Sequence, residues 1–230
     1  MRPAPAGRGL RAGLRTPNRT KVDPYMKIRL VAAAVVAALA PVLSHAQDAA
    51  AASPVEVHGM LGFMGTFGGD KLVDVLYTNG TTSAVTAGGT VYFNAGAELR
   101  SRDLPVPLSV LATVGYQVST AGGDNGDYRF ERIPFELLGE VDVIPNRFRL
   151  GGGVRYDTGV NLSSHGVVAA PATKFQNATG GVFQAEWMLS NNFSIVGRYV
   201  AIRYRFDDSS TGKQYHASGN QGGIGINWYL

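Results

Sequence analysis

The residues best suited to covalent chemistry lie near the end of the chain, in the sequence His216-Ala217-Ser218. A serine becomes a nucleophile when a histidine within hydrogen-bonding reach accepts its proton, and an acid usually orients that histidine. No acidic residue follows Ser218, and Asp207 and Asp208 lie across a predicted loop. Because so short a motif has a high false-positive rate, we interpret it as the polar end of a strand and keep hydrolysis as the alternative.

The other histidines of the predicted mature chain indicate structural roles. His165 lies in a predicted loop and should be solvated, whereas His58 lies beside Glu56 and should pack in a polar interior near a turn. No cluster of His, Asp and Glu has the spacing of metal ligands, and the chain has no cysteine. We therefore predict no metal and no cofactor.

A second set of reactive side chains consists of acids and bases that recur on one face of predicted strands. Its members are Glu98, Arg132, Glu136, Glu140, Asp142, Arg149, Arg155, Glu186 and Arg198. Buried carboxylates and guanidiniums must pair, and here groups of opposite sign fall at matching heights. We predict a structural charge network rather than a catalytic site.

The run Gly151–Gly153 precedes no helix, so it is no phosphate loop and should make room for long side chains.

Two-residue alternation of apolar and polar side chains recurs along the chain after residue 47, which predicts strands. Eight strands are predicted, at about Val55–Phe67, Thr90–Arg100, Leu108–Ser119, Tyr128–Val143, Arg147–Thr158, Gly180–Leu189, Phe193–Phe206 and Ala217–Leu230. The pattern is disturbed near Tyr128–Pro134 and near Tyr199–Ile202, and a β-bulge is predicted at each place.

One turn allows the strand register to be predicted. If Pro145 and Asn146 form the centre of a turn, residues whose numbers sum to 291 face each other. Oppositely charged residues then pair on one face and apolar residues on the other, as in Asp142–Arg149, Glu136–Arg155, Val143–Phe148, Val141–Leu150, Leu137–Val154 and Phe135–Tyr156. A slip of one residue would destroy both matches.

A second turn is predicted at Ser190-Asn191-Asn192. A three-residue turn there would oppose Leu189 to Phe193, Trp187 to Ile195 and Gln184 to Arg198.

The connections between predicted strands alternate in length. Those near 68–89, 120–127, 159–179 and 207–216 are long and polar, whereas those near 101–107, 144–146 and 190–192 are short. This layout is typical of an up-and-down outer-membrane barrel. The fold class predicted is therefore all-β, an eight-stranded antiparallel up-and-down transmembrane β-barrel, whose lumen side chains would just fill.

The choice of inner face depends on charge and on aromatic residues. Charges of both signs on the polar faces favour a polar interior, and two aromatic belts are expected where a barrel crosses two interfaces. The predicted belts are Phe148, Trp187, Phe193 and Trp228 at the short turns and Tyr116, Tyr156 and Tyr204 at the other end. The alternative is a lipocalin-like soluble barrel, which is apolar inside.

The N-terminal region predicts export. Residues 26–46 have a positive start, a 14-residue apolar run from Leu30 to Leu43 and the small-residue end Ser44-His45-Ala46, the layout of a signal peptide. Residues 1–25 are interpreted as an upstream extension from a mis-assigned start, and residues 47–230 as the barrel.

The first 46 residues hold eight basic residues and one acid. Removing them leaves 13 basic and 16 acidic residues, a net charge of −3, so the high pI does not indicate nucleic-acid binding.

The region Val55–Leu230 resembles the small outer-membrane barrels of Gram-negative bacteria, the OmpA/OmpX-type superfamily. The most specific element is the last strand, in which Ile224, Ile226, Trp228 and Leu230 share one face. It resembles the C-terminal signal read by the barrel-assembly machinery, except that Leu230 stands where that signal has an aromatic residue. This strand is expected to close against the first strand near Val57 and Leu61.

The resemblance implies an outer-membrane location, contact with outer-membrane lipid and lipopolysaccharide, and a monomeric, porin-like envelope protein. We expect a plugged interior, no enzyme activity, and a structural or surface-interaction role in which the loops near 68–89 and 159–179 bind an unidentified ligand. His216 and Ser218 resemble the His-x-Ser of lipid A deacylases, which implies a lipid A-modifying hydrolase as the first alternative. A soluble periplasmic lipid carrier is the second.

Overall fold

The computed structural model describes residues 55–76, 80–101, 104, 106–123, 126–166, 172–208 and 212–230. The predicted upstream extension and signal peptide lie outside these residues. The described chain forms thirteen strands: β1 (Val55–Gly68), β2 (Lys71–Leu76), β3 (Thr82–Thr86), β4 (Val91–Ser101), β5 (Leu108–Gly123), β6 (Gly126–Ile144), β7 (Phe148–Gly166), β8 (Thr173–Lys174), β9 (Ala178–Ser190), β10 (Phe193–Ala201), β11 (Arg203–Asp208), β12 (Lys213–Ser218) and β13 (Gln221–Tyr229).

Within the described residues, eight antiparallel strands form a closed ring in the order β6-β5-β4-β1-β13-β10-β9-β7, and β7 pairs back with β6. The first and last strands close the barrel through pairs such as Leu61–Trp228 and Phe63–Ile226. The predicted eight-stranded up-and-down barrel is therefore confirmed. The last strand meets Leu61 as expected, but its pairing with β1 begins at Met60–Tyr229 and does not reach Val57.

Between β6 and β7, five of the six residue pairs named in the turn prediction are observed. Asp142 faces Arg149 and Glu136 faces Arg155. Asn146 adopts a left-handed backbone with φ of 58°, and the Arg147 amide donates to the Ile144 carbonyl at 2.9 Å across the turn. A bulge beside Asp142 moves the last pair, so that Ile144 rather than Val143 faces Phe148.

The turn between β9 and β10 is one residue tighter than predicted. Trp187 faces Ile195 and Gln184 faces Arg198, as expected. However, Phe193 faces Ser190 instead of Leu189, because a bulge follows Phe193. The register in the rest of the hairpin is unaffected.

The strands extend further at the long-connection end than alternation predicted. Segment 120–127 is not a long loop, because β5 and β6 continue and pair as far as Gly123–Gly126. Likewise β7 runs on to Gly166 and pairs with β6 from Asn161 to Gly166. The bulge predicted near Tyr128–Pro134 is present, between Glu131 and Ile133.

The prediction of a bulge near Tyr199–Ile202 is wrong. Burial alternates without a break from Ser194 to Tyr204, so Val200, Ile202 and Tyr204 all point inward. Instead, the interior itself changes at this height. Charged side chains lie toward the short turns, and an apolar cluster lies toward the long connections. Besides those three residues, the cluster includes Phe130, Val160, Phe175, Ala121, Ala178, Ala217, Val85 and Ala87.

Two hairpins complete the long-connection end. The β11–β12 hairpin continues the β10–β13 pairing in the same register: Val200 faces Gln221 below, and Arg203 faces Ser218 above. The β2–β3 hairpin lies in the first connection, where it contributes fully buried Val85 to the apolar cluster. It is tied to the second hairpin because the Asp70 amide donates to the Ser218 carbonyl at 2.7 Å.

The outer surface of the ring is apolar. Large hydrophobic side chains between 39% and 65% exposed cover it, among them Leu61, Phe63, Phe93, Leu99, Val110, Phe135, Leu137, Val154, Phe183, Ile195, Tyr199, Ile224 and Ile226. The short-turn end carries the four aromatic residues of the predicted belt, and they face each other as Phe148–Trp187 and Phe193–Trp228. At the other end Tyr156 faces outward as predicted, but Tyr204 is fully buried inside the barrel.

Glycines on the inner face make room for large interior side chains. A Cβ at Gly115 would lie 2.4 Å from the Tyr92 ring and 2.6 Å from the Phe93 carbonyl oxygen. In the predicted glycine run, a Cβ at Gly151 would meet the Glu140 side chain at 2.8 Å. By contrast, a Cβ at Gly139 would meet no atom within 4 Å.

We expect Gly115→Ala to lower the free energy of unfolding by about 1–3 kcal/mol, because the added methyl group overpacks the interior. Gly139→Ala is the matched control and should leave the free energy within about 0.5 kcal/mol of the parent. The measurement is urea unfolding of the chain refolded in detergent micelles, which cover the apolar outer face. Equal midpoints for the two variants would contradict the packing account.

Candidate functional site

The structure does not assemble a hydrolytic triad around His216 and Ser218. Both side chains lie on the outer face of β12, with Arg205 opposite His216 and Arg203 opposite Ser218. Among the described contacts, no hydrogen bond joins the imidazole to the serine. The Ser218 hydroxyl accepts a hydrogen bond from the Asn220 amide at 3.4 Å.

The nearest described acids are engaged elsewhere. The Asp207 carboxylate accepts hydrogen bonds from the side-chain amides of Gln176 at 2.7 Å and Gln214 at 3.0 Å. The Asp70 carboxylate accepts the backbone amide of Ser218 at 2.7 Å. Neither orients a histidine, so the described geometry does not support acyl hydrolysis.

All nine residues of the predicted charge network are buried in the barrel interior. Their exposed fractions do not exceed 6%: Glu98, Arg132, Glu136, Glu140, Asp142, Arg149, Arg155, Glu186 and Arg198. They fall into two layers. The upper tier, nearer the long connections, comprises Arg132, Glu136, Arg155, Asp157 and Arg198. The lower tier, nearer the short turns, comprises Glu98, Arg100, Glu140, Asp142, Arg149 and Glu186.

Glu136 is the centre of the upper tier. Its two carboxylate oxygens pair with different arginines, Arg155 at 3.2 Å and Arg198 at 2.7 Å, and the Thr113 hydroxyl donates to it at 3.3 Å. Both guanidiniums also lie over the Tyr92 ring, at 5.4 and 5.6 Å from its centroid. One carboxylate on β6 therefore holds two positive charges from β7 and β10.

Asp157 joins the remaining arginine to this tier. Its carboxylate pairs with Arg155 at 2.6 Å and with Arg132 at 3.3 Å, and it accepts the hydroxyl of Tyr204. Alternation could have identified Asp157, because it lies two residues from Arg155 on the same face. The predicted network omits it.

Arg132 connects the upper tier to the first connection of the chain. Its guanidinium donates to the Gly88 carbonyl at 2.8 Å and to Gln221 Oε1 at 3.1 Å. Gln117 donates to the same carbonyl at 2.9 Å. The backbone that follows the β2–β3 hairpin is thereby anchored inside the barrel, a feature that sequence alternation does not reveal.

Arg149 is the centre of the lower tier. It pairs with Glu98 at 2.9 Å, Asp142 at 3.3 Å and Glu186 at 3.9 Å. The Glu186 carboxylate also accepts the Tyr229 hydroxyl at 2.9 and 3.0 Å. Arg100 donates to Asp142. Carboxylates outnumber arginines here, so neutral donors supply part of the hydrogen bonding.

Gln184 links the two tiers. Its carbonyl oxygen accepts Arg198 Nε at 2.9 Å, and its amide nitrogen donates to Glu140 at 2.8 Å. Glutamine suits this place because it can satisfy a cation and a carboxylate at once. No charge pattern could have identified it, since it is uncharged.

A polar recess opens at the short-turn end of the lower tier. It has a volume of about 360 Å³, and its lining includes Glu56, His58, Glu98, Arg149 and Tyr229. His58 lies 3.3 Å from the Glu56 carboxylate and is half-buried, as predicted.

His165 is exposed, as predicted, and lies 3.8 Å from Asp127. Among the described residues no group of three His, Cys, Asp or Glu could hold a metal ion.

The four residues of the predicted assembly signal share the outer face of β13 and the terminus beyond it. Ile224, Ile226, Trp228 and Leu230 are all exposed there. The last amide of the chain is engaged, because Leu230 N–H donates to the Gly59 carbonyl at 2.8 Å.

The similarity of this chain to known proteins is remote. No protein-family model and no curated protein matches the sequence. Among solved structures, Ail, the attachment invasion locus protein of Yersinia pestis, is similar with a TM-score of 0.37 and 10% identity, over 78% of this chain and all of that one. The outer membrane protein OprG of Pseudomonas aeruginosa is similar with a TM-score of 0.38 and 14% identity, over 76% of this chain and 95% of that one. The barrel assignment therefore depends on the strand register.

Among the described residues, no helix is long and apolar enough to span a membrane.

We expect Glu136→Ala to lower the free energy of unfolding by about 3–5 kcal/mol, because it leaves two buried guanidiniums without their shared partner. Glu131→Ala is the matched control on the same strand. Glu131 pairs with Arg129 at 3.2 Å but is about 30% exposed, so its loss should cost about 1 kcal/mol or less. Urea unfolding in micelles measures both; an unchanged midpoint for Glu136→Ala would refute the central role of this carboxylate.

Proposed function

We propose that this chain is an integral outer-membrane β-barrel protein of a Gram-negative bacterium. The observation that supports this most strongly is the inversion of the barrel: ion pairs fill the inside, whereas exposed Leu, Ile, Val, Phe and Trp side chains cover the outside. A continuous apolar outer surface is unstable in water but favourable against lipid. A closed ring also leaves no unpaired strand edge in the hydrocarbon layer.

The same inversion argues against a soluble lipid carrier. A lipocalin-like barrel would enclose its ligand with apolar side chains and present its charged face to water. In the lower half of this barrel the inward side chains include Glu98, Arg149, Glu186 and their partners. Buried Leu111 and Leu138 fill the space between these charged groups and the wall. No apolar binding chamber fits that layer.

The proposed interior is closed to solutes. Guanidiniums and carboxylates from five wall strands meet at the two tiers, and Gln184 joins them. Above the upper tier, Phe130, Phe175 and Tyr204 pack with edge-to-face contacts. The layers together favour a structural or surface-interaction protein over an open pore, with binding through the connections near 68–89 and 159–179, parts of which lie outside the described residues.

A lipid A-modifying hydrolase is not proposed, because the described contacts supply no acid to His216 and no base to Ser218. The absence of enzyme activity stays a prediction. Unchanged lipid A mass spectra on expression of the chain would agree with it.

Fractionation of expressing cells tests the proposed location. We expect the chain in the outer-membrane pellet, resistant to carbonate extraction and migrating faster on gels before heating than after. Glu136→Ala should reach the same fraction but lose the fast-migrating form at a lower temperature. Recovery of the parent chain in the soluble periplasm would overturn the proposal.

We also propose that the terminal strand serves as the signal for the barrel-assembly machinery, with Leu230 in the place of an aromatic residue. Deletion of Leu230 should slow the appearance of the heat-shifted form, because it removes an outer-face side chain and the bond to Gly59. Leu230→Phe should assemble at the parent rate. A faster rate for Leu230→Phe would show that leucine is a suboptimal ending, and an unaffected deletion would remove Leu230 from the signal.

A further inference from the structure

The outer face of the β11–β12 hairpin carries a group of cationic and polar side chains with no role in the barrel interior. Arg203 faces Ser218, and Arg205 faces His216 one step further along the hairpin. The alternate residues Tyr204 and Ala217 are buried inside, so these four side chains share the outer face. We refer to Arg203, Arg205 and His216 as the outer basic face.

Neither guanidinium of the outer basic face has a counter-ion among the described residues. No described carboxylate forms an ion pair with Arg203 or Arg205. Two acids that lie nearby along the hairpins, Asp70 and Asp207, are engaged by the Ser218 amide and by glutamine side chains. Two positive charges and an imidazole therefore remain available to an external anion.

The height of the outer basic face follows from the strand geometry. Phe193 marks the short-turn aromatic belt, and Arg203 lies about ten residues further along the same hairpin. At a rise of roughly 3.3 Å per residue and a tilt of about 40°, this separation is about 25 Å of height. The apolar band of an outer-membrane barrel is also about 25 Å tall. Arg203 thus lies at its outer edge and Arg205 just beyond it.

The surface directly below is apolar. Tyr199 and Ile195 lie on the same outer face of the same hairpin and are 51% and 44% exposed. A molecule that fills both surfaces must be anionic at one end and hydrocarbon at the other. Guanidinium groups are well suited to the anionic end because they bind phosphate oxygens bidentately.

We propose that the outer basic face binds the phosphate groups of an outer-leaflet lipid, whose acyl chains lie against Tyr199 and Ile195. Arg203 and Arg205 provide the charged donors, His216 provides a ring N–H, and the Ser218 hydroxyl is within the same row. This inference rests on the proposed membrane location. It also assigns a role in headgroup binding to the His-x-Ser sequence, in place of a nucleophile and its base.

A titration of diphosphorylated lipid A tests the proposal, with the chain refolded in micelles of a neutral maltoside detergent. We expect the double variant R203Q/R205Q to bind lipid A about tenfold more weakly or worse, which corresponds to about 1.4 kcal/mol. H216Q should weaken binding by a smaller factor. The control is Arg147→Gln, which removes an exposed charge at the opposite end, where Arg147 lies 6.0 Å from the Trp187 ring; its affinity should equal that of the parent.

Each result has a distinct meaning, provided that all variants show the parent heat-shift. Parent-like affinity of R203Q/R205Q would overturn the site, as would an equal loss in Arg147→Gln, which would indicate unspecific charge attraction. Inorganic phosphate that binds as tightly as lipid A, or dephosphorylated lipid A that binds equally well, would overturn the lipid phosphate assignment. Because the titration uses refolded protein, recovery of the chain in the periplasm would refute the location without altering these binding results.

Discussion

The bridge from Glu136 to Arg155 and Arg198 is the interaction on which the rest of the structure depends. It joins β6, β7 and β10 across the lumen, with distances of 3.2 and 2.7 Å between nitrogen and oxygen. A charge buried without a partner costs several kcal/mol, so each member holds the others in place. Asp157 and Gln117 accept the remaining hydrogen bonds of Arg155, and Gln184 accepts those of Arg198. The Tyr92 ring lies against both guanidiniums. The barrel is thus organised by electrostatics on the inside and by apolar surface on the outside.

This division determines which environment the fold requires. In a soluble protein the apolar side chains face one another, and their burial drives folding. Here the outward-facing Leu61, Phe93, Ile224 and their neighbours remain 40–65% exposed. Their burial must come from a surrounding apolar phase, whereas the closed hydrogen-bonded ring satisfies the backbone by itself. The polar interior and the apolar exterior are therefore two consequences of one two-residue period.

Much of the wall could be predicted from the sequence because a strand period of two leaves few choices. A turn centred on Pro145 and Asn146 predicts the pairs Glu136–Arg155 and Asp142–Arg149, and any slip would place charge against lipid-facing residues. All nine predicted network residues are buried for the same reason. The details missed here are single bulges, at Asp142 and after Phe193, which change one pair each and leave no mark in the pattern.

The long-connection end was less predictable because its inward side chains are apolar. Near the short turns, polar side chains point inward and apolar ones outward, and this rule does not hold at the other end. If the interior were polar along its whole height, the apolar side chains of Val200, Ile202 and Tyr204 would have to lie on the outer face, and a change of face would be needed. In fact the side chains keep their direction, and the interior changes from charged to apolar. Two features at this end depend on contacts between segments that are distant in sequence. Val85 packs into the apolar cluster, and the Gly88 carbonyl accepts a hydrogen bond from Arg132. Such contacts have no local signature in the sequence.

The pairing of Leu61 with Trp228 also has a consequence for the time course of folding. These residues are about 170 positions apart, and bringing them together costs roughly 4–5 kcal/mol of chain entropy by the loop-closure relation. Every other contact in the wall joins strands that are neighbours or nearly so along the chain. The ring can therefore grow hairpin by hairpin, but it cannot close until its final nine-residue strand has arrived. Until then the edges of β1 and β10 that will receive β13 stay unpaired and are open to pairing with another chain.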